Sequence, residues 1–137
     1  MNALIVLGGL LGVVTPTEGP PPAAVALVSA LESGDLAAAR ATLAEEITIA
    51  DSSSGTGQES SFEALSTYAR GCARSNLSWD HDSAEPANAT ISFTWTCPSR
   101  APTQTLIWTA GERVVWVQFG LRDPETWMSL PNQERPR

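Results

Sequence analysis

The chain has 137 residues, of which 42% are hydrophobic and 17% charged, a composition that favours one folded domain and excludes a disordered or fibrous protein. Its formal net charge is −7, and its eight basic residues, all arginine, are scattered along the sequence. Because no basic stripe is available to neutralise phosphates, neither nucleic acid nor an anionic membrane surface is an expected partner.

An unbroken run of apolar residues and glycine, ALIVLGGLLGVV, occupies residues 3–14. The run is shorter than the about 20 residues that span a bilayer, so we expect no stable membrane insertion of the mature domain. Its length matches the hydrophobic region of a secretory signal, although no Lys or Arg precedes it. We predict a leader at residues 1–19 and a periplasmic or secreted protein. The alternatives are a buried strand or an apolar tail on a cytoplasmic protein.

The next segment predicts a helical hairpin. After Pro20–Pro22, apolar residues recur with helical spacing at Ala24, Leu27, Val28 and Leu31. Gly34 is placed to end this helix, and Asp35 is placed to cap a second helix. The second helix is predicted to run to the acidic pair Glu45–Glu46, where the negative charges oppose its dipole and favour fraying.

A short strand, ITIA at residues 47–50, is predicted to end at Asp51 before the polar loop DSSSGTGQES. Ser60 and Glu63 have the spacing of a capping box, which predicts the start of a third helix. From residue 76 onward the hydrophobic period changes to two. It predicts four strands, in the sequences LSWDHDS (77–83), ATISFTWTC (89–97), TQTLIWTA (103–110) and RVVWVQFGL (113–121).

Helices thus precede strands, in the order ααβαββββ, which indicates an α+β domain rather than alternating α/β. We expect three N-terminal helices packed on a curved antiparallel sheet at residues 20–121. Residues 122–137 are predicted as a partly ordered tail that includes Trp127 and Met128.

The two cysteines, Cys72 and Cys97, have two open interpretations. In an oxidising compartment we expect a disulfide that closes a loop of roughly 25 residues and stabilises the fold by about 3 kcal/mol. In a reducing compartment they are small core residues. No C-x-x-C or His/Cys spacing is present, so neither a metal site nor a cofactor is predicted.

Residues 30–51, ALESGDLAAARATLAEEITIAD, combine the Gly-Asp helix joint, an acidic pair and a strand that ends in Asp. Together with SSFEALSTYA at 60–69, this segment resembles the nuclear transport factor 2-like superfamily, especially its SnoaL-like and ketosteroid isomerase-like branch. The resemblance covers about residues 22–121. It implies a cone with an apolar pocket between helices and sheet. Members isomerise, dehydrate or cyclise small apolar molecules, or bind ligands or partner proteins, often as dimers.

In ketosteroid isomerase-like members the aspartate that closes the first strand is the general base, a position that Asp51 matches. Two departures weaken that role. Leu27 stands where a donor tyrosine is found, and residues 103–109 contain no acidic side chain. Each missing donor forfeits about 3 kcal/mol of transition-state stabilisation, which disfavours steroid-type isomerisation. The alternative is that Asp51 closes an Asx turn with the serines that follow.

The single histidine, His81, could assist Asp51. If Trp79 faces inward, the two-residue period directs His81 inward as well and allows an Asp51–His81 dyad, as in related dehydratases and cyclases. The alternative is a solvated polar cluster in which His81 lies between Asp80 and Asp82.

The resemblance also implies a set of pocket-lining residues, whose alternative role is core packing: Leu27, Leu31, Tyr68, Trp79, Trp95 and Trp116. The serines and threonines of residues 90–96 form either a solvated face or the surface of a homodimer. We favour a small-molecule-binding or interaction module that takes a small apolar molecule without strong catalysis. The alternative is an isomerase, dehydratase or hydrolase that uses Asp51, with His81 or Tyr68 assisting.

Overall fold

The computed structural model describes residues 19–122, which form three helices and six strands. The hydrophobic run at 3–14, which belongs to the predicted leader, and the predicted tail from residue 123, with Trp127 and Met128, lie outside the described residues. The elements are α1 (Pro22–Ser33), α2 (Leu36–Ala41), β1 (Leu43–Asp51), β2 (Gln58–Glu59), α3 (Phe62–Ala69), β3 (Ala73–His81), β4 (Ala89–Cys97), β5 (Arg100–Ala110) and β6 (Arg113–Leu121).

The joint between α1 and α2 forms as its sequence predicts. Gly34 has a φ of 83°, the left-handed conformation that glycine adopts without a steric penalty. The backbone N–H of Asp35 donates to the carbonyl of Ala30 at 2.9 Å, which gives a partner to one of the carbonyl groups at the C-terminal end of α1. The Asp35 carboxylate accepts from the Ala38 N–H at 3.2 Å and caps α2.

The predicted length of the second helix is wrong. Helix α2 ends at Ala41, and Glu45–Glu46 lie in strand β1 with both side chains exposed. Strand pairing explains the difference, because the N–H of Val114 in β6 donates to the Thr42 carbonyl at 2.8 Å. The Arg113 guanidinium also donates to the Ala41 carbonyl at 2.6 Å. These long-range bonds take the carbonyls that a longer helix would use and direct the chain into the sheet.

The predicted capping box is displaced by one residue. Helix α3 is capped by Ser61, whose hydroxyl accepts from the Ala64 N–H at 3.0 Å. The N–H of Ser60 donates instead to the Ile49 carbonyl at 2.8 Å. That bond holds the chain beside β1 for one residue longer, so the helix begins later than the sequence spacing suggests.

The predicted α+β order is confirmed, with the two-residue strand β2 as an addition. The strands lie in the order β2-β1-β6-β5-β4-β3. Strands β1 and β6 are parallel and every other neighbouring pair is antiparallel, so the sheet is mixed rather than wholly antiparallel. No helix in the described part of the chain is long and apolar enough to cross a membrane.

The helices pack on one face of the sheet and form the main core with it. This core contains the inward residues of β4, namely Ile91, Phe93 and Trp95, as the alternating pattern predicts. A separate apolar cluster of strand residues contains the Trp108–Trp116 cross-strand pair, whose ring centroids lie 5.1 Å apart. The sequence therefore identified the inward face of β4, whereas the second apolar cluster, which contains Trp116, was not predicted.

Two polar contacts connect α1 with β3 and β4, and one covalent bond connects the segment after α3 with β4. The indole N–H of the fully buried Trp95 donates to the Glu32 carboxylate at 2.8 Å. The Arg74 guanidinium donates to the other oxygen of the same carboxylate at 3.1 Å. Cys72 and Cys97 form a disulfide, which follows the Ala73–Thr96 pair and extends the β3–β4 ladder by one position.

Glu32→Ala is expected to lower the free energy of unfolding by about 2 kcal/mol, because the buried Trp95 N–H loses its acceptor. The matched control is Glu63→Ala, whose carboxylate pairs with Arg40 between exposed side chains. We expect that control to cost less than about 1 kcal/mol. Urea denaturation of both variants measures the difference, and equal losses would contradict the role assigned to Glu32.

Candidate functional site

Asp51 lies at the end of β1 and closes a tight turn. One carboxylate oxygen accepts from the Ser53 N–H at 2.8 Å and from the Ser53 hydroxyl at 2.6 Å. This is the Asx-turn geometry that the sequence offered as the alternative to a general base. Asp51 is half-buried, and one of its carboxylate oxygens accepts both hydrogen bonds of the turn.

The loop that Asp51 opens is packed against β6. The N–H of Ser52 donates to the Phe119 carbonyl at 2.8 Å, and the Gln118 amide donates to the buried Ser52 hydroxyl at 2.9 Å. Gly120 has a φ of 79°, and a Cβ there would lie 3.0 Å from Ser53. Glycine therefore allows the close approach that keeps this loop in place.

His81 lies at the end of β3 and bridges two other segments. It pairs with Ala89, and Trp79 pairs with the buried Ile91, so both side chains lie on the helix-bearing face of the sheet. One ring nitrogen, Nδ1, lies 2.8 Å from the Pro86 carbonyl oxygen. The other, Nε2, lies 2.9 Å from the Gly19 carbonyl oxygen.

The structure does not bring Asp51 and His81 together. The strand register runs from His81 through Ala89 and Thr109 to Val114, near the start of β6. Asp51 is instead in register with Phe119, near the end of β6. Four strand spacings across the sheet and five residues along it place the two on the order of 20 Å apart. Direct proton transfer between them is excluded at that separation.

Tyr68 lies closer to the Asp51 end of the sheet. Its ring packs on Phe119 with centroids 4.8 Å apart. The Arg100 guanidinium lies over the Tyr68 ring, 3.7 Å from the ring centroid. The Tyr68 hydroxyl forms a hydrogen bond with the Thr103 hydroxyl. The phenol is therefore held in place from several sides on α3.

The six residues predicted to line a pocket occupy three different places. Leu27, Leu31 and Trp95 are fully buried in the main core, and the half-buried Tyr68 packs against it. Trp116 belongs to the separate strand cluster, and Trp79 is 40% exposed on the edge strand β3. The middle of the helix-facing side is filled by side chains.

A pocket of about 840 Å³ lies at the end of the sheet that carries His81. Four segments line it: the start of α1, the α2–β1 joint, the β3–β4 loop and the β5–β6 turn. Its polar residues are Thr42, His81, Glu112 and Arg113. Among the predicted site residues, His81 is the one that lines this pocket.

The sequence did not identify the other lining residues, because most of them lie in turns and joints, where hydrophobic residues do not recur at a regular spacing. The run of prolines before α1 and the single histidine are the features that could have indicated it. Among residues 19–122, no cluster of three or more His, Cys, Asp or Glu side chains could hold a metal ion.

Solved structures with the same architecture include three bacterial proteins. A candidate polyketide cyclase from Pseudomonas putida has a TM-score of 0.52 and 15% identity over 78% of this chain and 93% of its own. A hypothetical protein with a ketosteroid isomerase-like fold from Catenulispora acidiphila, in complex with trimethylamine, has a TM-score of 0.54 and 15% identity over 86% of this chain and 100% of its own. A protein of unknown function from Cytophaga hutchinsonii, described as like nuclear transport factor 2, has a TM-score of 0.52 and 11% identity over 78% and 92%.

The chain has the nuclear transport factor 2-like fold. Neither profiles of known protein families nor curated proteins give a significant sequence match. At identities of 11–15%, the likeness establishes the nuclear transport factor 2-like fold alone, since one fold supports many activities.

Asp51→Ala is expected to lower the free energy of unfolding by about 1 kcal/mol, because both bonds to Ser53 are lost. Asp51→Asn keeps an acceptor oxygen in the same position and is expected to change stability by less than about 0.5 kcal/mol. Thermal and urea unfolding of the two variants measure these effects. An alanine variant as stable as the wild type would show that the turn does not depend on this side chain.

Proposed function

We propose that this protein binds a small molecule in the pocket beside His81 and does not use Asp51 as a catalytic base. The observation that carries the proposal is the separation of the two features. The pocket of about 840 Å³ lies at one end of the sheet, whereas the Asp51 carboxylate closes a turn at the other. That volume falls in the usual range for small-molecule sites.

The lining supports a ligand that is mostly apolar with one polar group. Pro21, Pro22 and Pro86 contribute apolar walls. The Arg113 guanidinium donates to the Ala41 carbonyl, whereas the Glu112 side chain is exposed. An apolar body with a donor or cationic group directed toward Glu112 suits this arrangement. Trimethylamine, present in the complex of the Catenulispora acidiphila protein, is a suitable first probe of that class.

The second candidate is an isomerase, dehydratase or hydrolase that uses Asp51. Its support is that Asp51 shares a sheet face with Phe119, on which the Tyr68 ring packs. Tyr68 would then supply the donor that Leu27 lacks. Turnover that disappears in Asp51→Asn, a variant expected to remain folded, would favour this candidate over the binding module.

We also propose that the protein is exported to an oxidising compartment and that two copies associate through the polar side of β4. The Cys72–Cys97 bond supports the first part. The serines and threonines of residues 90–96, uncharged and half-exposed to exposed, support the second.

Pocket binding is tested by NMR titration of the labelled protein with trimethylamine and with the neutral dye N-phenyl-1-naphthylamine. We expect amide shifts at Thr42, Ala87 and Gly111. Ala87→Trp fills the pocket and should weaken binding at least about tenfold, which corresponds to 1.4 kcal/mol. Ala101→Trp, at an exposed position on β5 outside the lining, is the control. Shifts centred on Asp51 and Tyr68 instead would contradict the proposal.

Export is tested by mass spectrometry of protein isolated from its native cells, with and without reductant. We expect a mass increase of two hydrogens on reduction, because the disulfide forms in an oxidising compartment. Two free thiols in unreduced protein, alkylated at Cys72 and Cys97, would refute export to such a compartment.

A further inference from the structure

Both ring nitrogens of His81 face carbonyl oxygens. Nδ1 lies 2.8 Å from the Pro86 oxygen, and Nε2 lies 2.9 Å from the Gly19 oxygen. Carbonyl oxygens only accept hydrogen bonds, whereas a neutral imidazole has one donor and one acceptor nitrogen. The ring satisfies both contacts only as the imidazolium ion, with a proton on each nitrogen.

We propose that, in the chain that retains Gly19, protonated His81 fastens the segment before α1 to the β3–β4 loop, and that loss of this proton loosens one wall of the pocket. The part that concerns ligand rests on the binding function proposed above. His81 is then a positioning residue that makes ligand binding depend on pH.

The segments that His81 joins are distant in sequence and both border the pocket. Gly19 is 62 residues from His81, and it precedes Pro21 and Pro22 of the lining. Pro86 is itself a lining residue. Because the prolines at 20–22 have no N–H, this segment must use its carbonyl groups to bond to its surroundings. The Gly19 carbonyl makes that bond with His81.

The charged groups around the ring are mainly acidic. The β3–β4 loop contributes Asp82, which accepts from the Ala84 N–H at 2.8 Å, and Glu85, which accepts from the Asn88 amide at 2.9 Å. The β5–β6 turn contributes Glu112 and also Arg113, the one cation of the lining. Asp80 pairs with Thr90 and lies on the opposite face of β3, and residues 19–24 carry no charge. The β3–β4 loop and the β5–β6 turn therefore contribute three carboxylates and one guanidinium.

The direction of the pH dependence follows from the two contacts. At acidic pH the ring is doubly protonated and donates to both carbonyls. Once the ring loses one of these protons as the pH rises, one nitrogen presents a lone pair to a carbonyl oxygen. One bond is then lost and the remaining contact is repulsive. The stabilisation is therefore present at low pH and disappears as the pH increases.

The fastening is tested without ligand, by NMR of the full chain labelled with ¹⁵N and ¹³C. His81 is the only histidine, so its ring signals are unambiguous. At pH 5.5 we expect both ring nitrogens protonated, and between pH 5.5 and 8 the carbonyl shifts of Gly19 and Pro86 should move with one shared midpoint. In His81→Gln, a neutral replacement, both shifts should stay constant. A single neutral tautomer at pH 5.5, or a Gly19 carbonyl that does not respond in the wild type, would overturn the proposal.

The effect on the pocket is tested with N-phenyl-1-naphthylamine, which carries no charge over this pH range. We expect the wild type to bind it at least about threefold more weakly at pH 8 than at pH 5.5, and His81→Gln to bind equally at both. Glu63→Gln, which removes an exposed carboxylate outside the pocket lining, is the control and should keep the wild-type pH dependence. Equal wild-type affinity at both pH values would overturn the regulation. If the carbonyl shifts titrate but no dye binds, the fastening is confirmed and the binding function fails.

Discussion

The parallel contact between the first strand and the last is the constraint on which the rest of this fold depends. The bond from the Val114 N–H to the Thr42 carbonyl ends α2 and starts β1, and the bond from the Ser52 N–H to the Phe119 carbonyl ends β1 at the other side. Between them, β1 pairs with β6 at Leu43 and again from Thr48 to Asp51, with a register shift between Leu43 and Thr48. Because these bonds join residues about 70 positions apart, their formation carries a loop-closure entropy that the core must offset.

Much of the fold could be predicted because its signals are local. Gly34 and Asp35 are adjacent and determine the α1–α2 joint through backbone conformation and a cap, and the alternation at residues 89–97 separates inward from outward side chains without reference to any partner. The end of α2 could not be predicted in the same way. Leu43 continues the helical spacing of Leu36 and Ala39, and the competing bond comes from Val114, which no local pattern connects with it.

In the candidate site, too, local sequence signals predict one part and miss the part that long-range contacts form. Asp51 could be located from sequence because it ends a strand, and its alternative as a turn residue follows from the serines beside it; the contacts to Ser53 match that alternative. The pocket could not be located, because its walls come from four turns that meet only in the folded chain. Trp79 and His81 share a face of the sheet, as the two-residue period predicts. The partners of His81 are the backbone carbonyl groups of Gly19 and Pro86, and no sequence motif predicts such contacts.

The position of the pocket follows from where the large side chains lie. In the middle of the helix-facing side, Trp95 packs edge-on against Phe93 with centroids 4.9 Å apart, and Glu32 holds its indole N–H. Tyr68 packs against Trp95 and Phe119 from α3, so aromatic rings occupy the interior between the helices and the sheet. At the His81 end, by contrast, the lining includes Ala41, Ala87, Gly111 and prolines, whose side chains are short, and the pocket of about 840 Å³ lies there. Among residues 19–122, these packed aromatic rings thus lie in the middle of the helix-facing side, and the pocket lies at the His81 end of the sheet, away from Asp51.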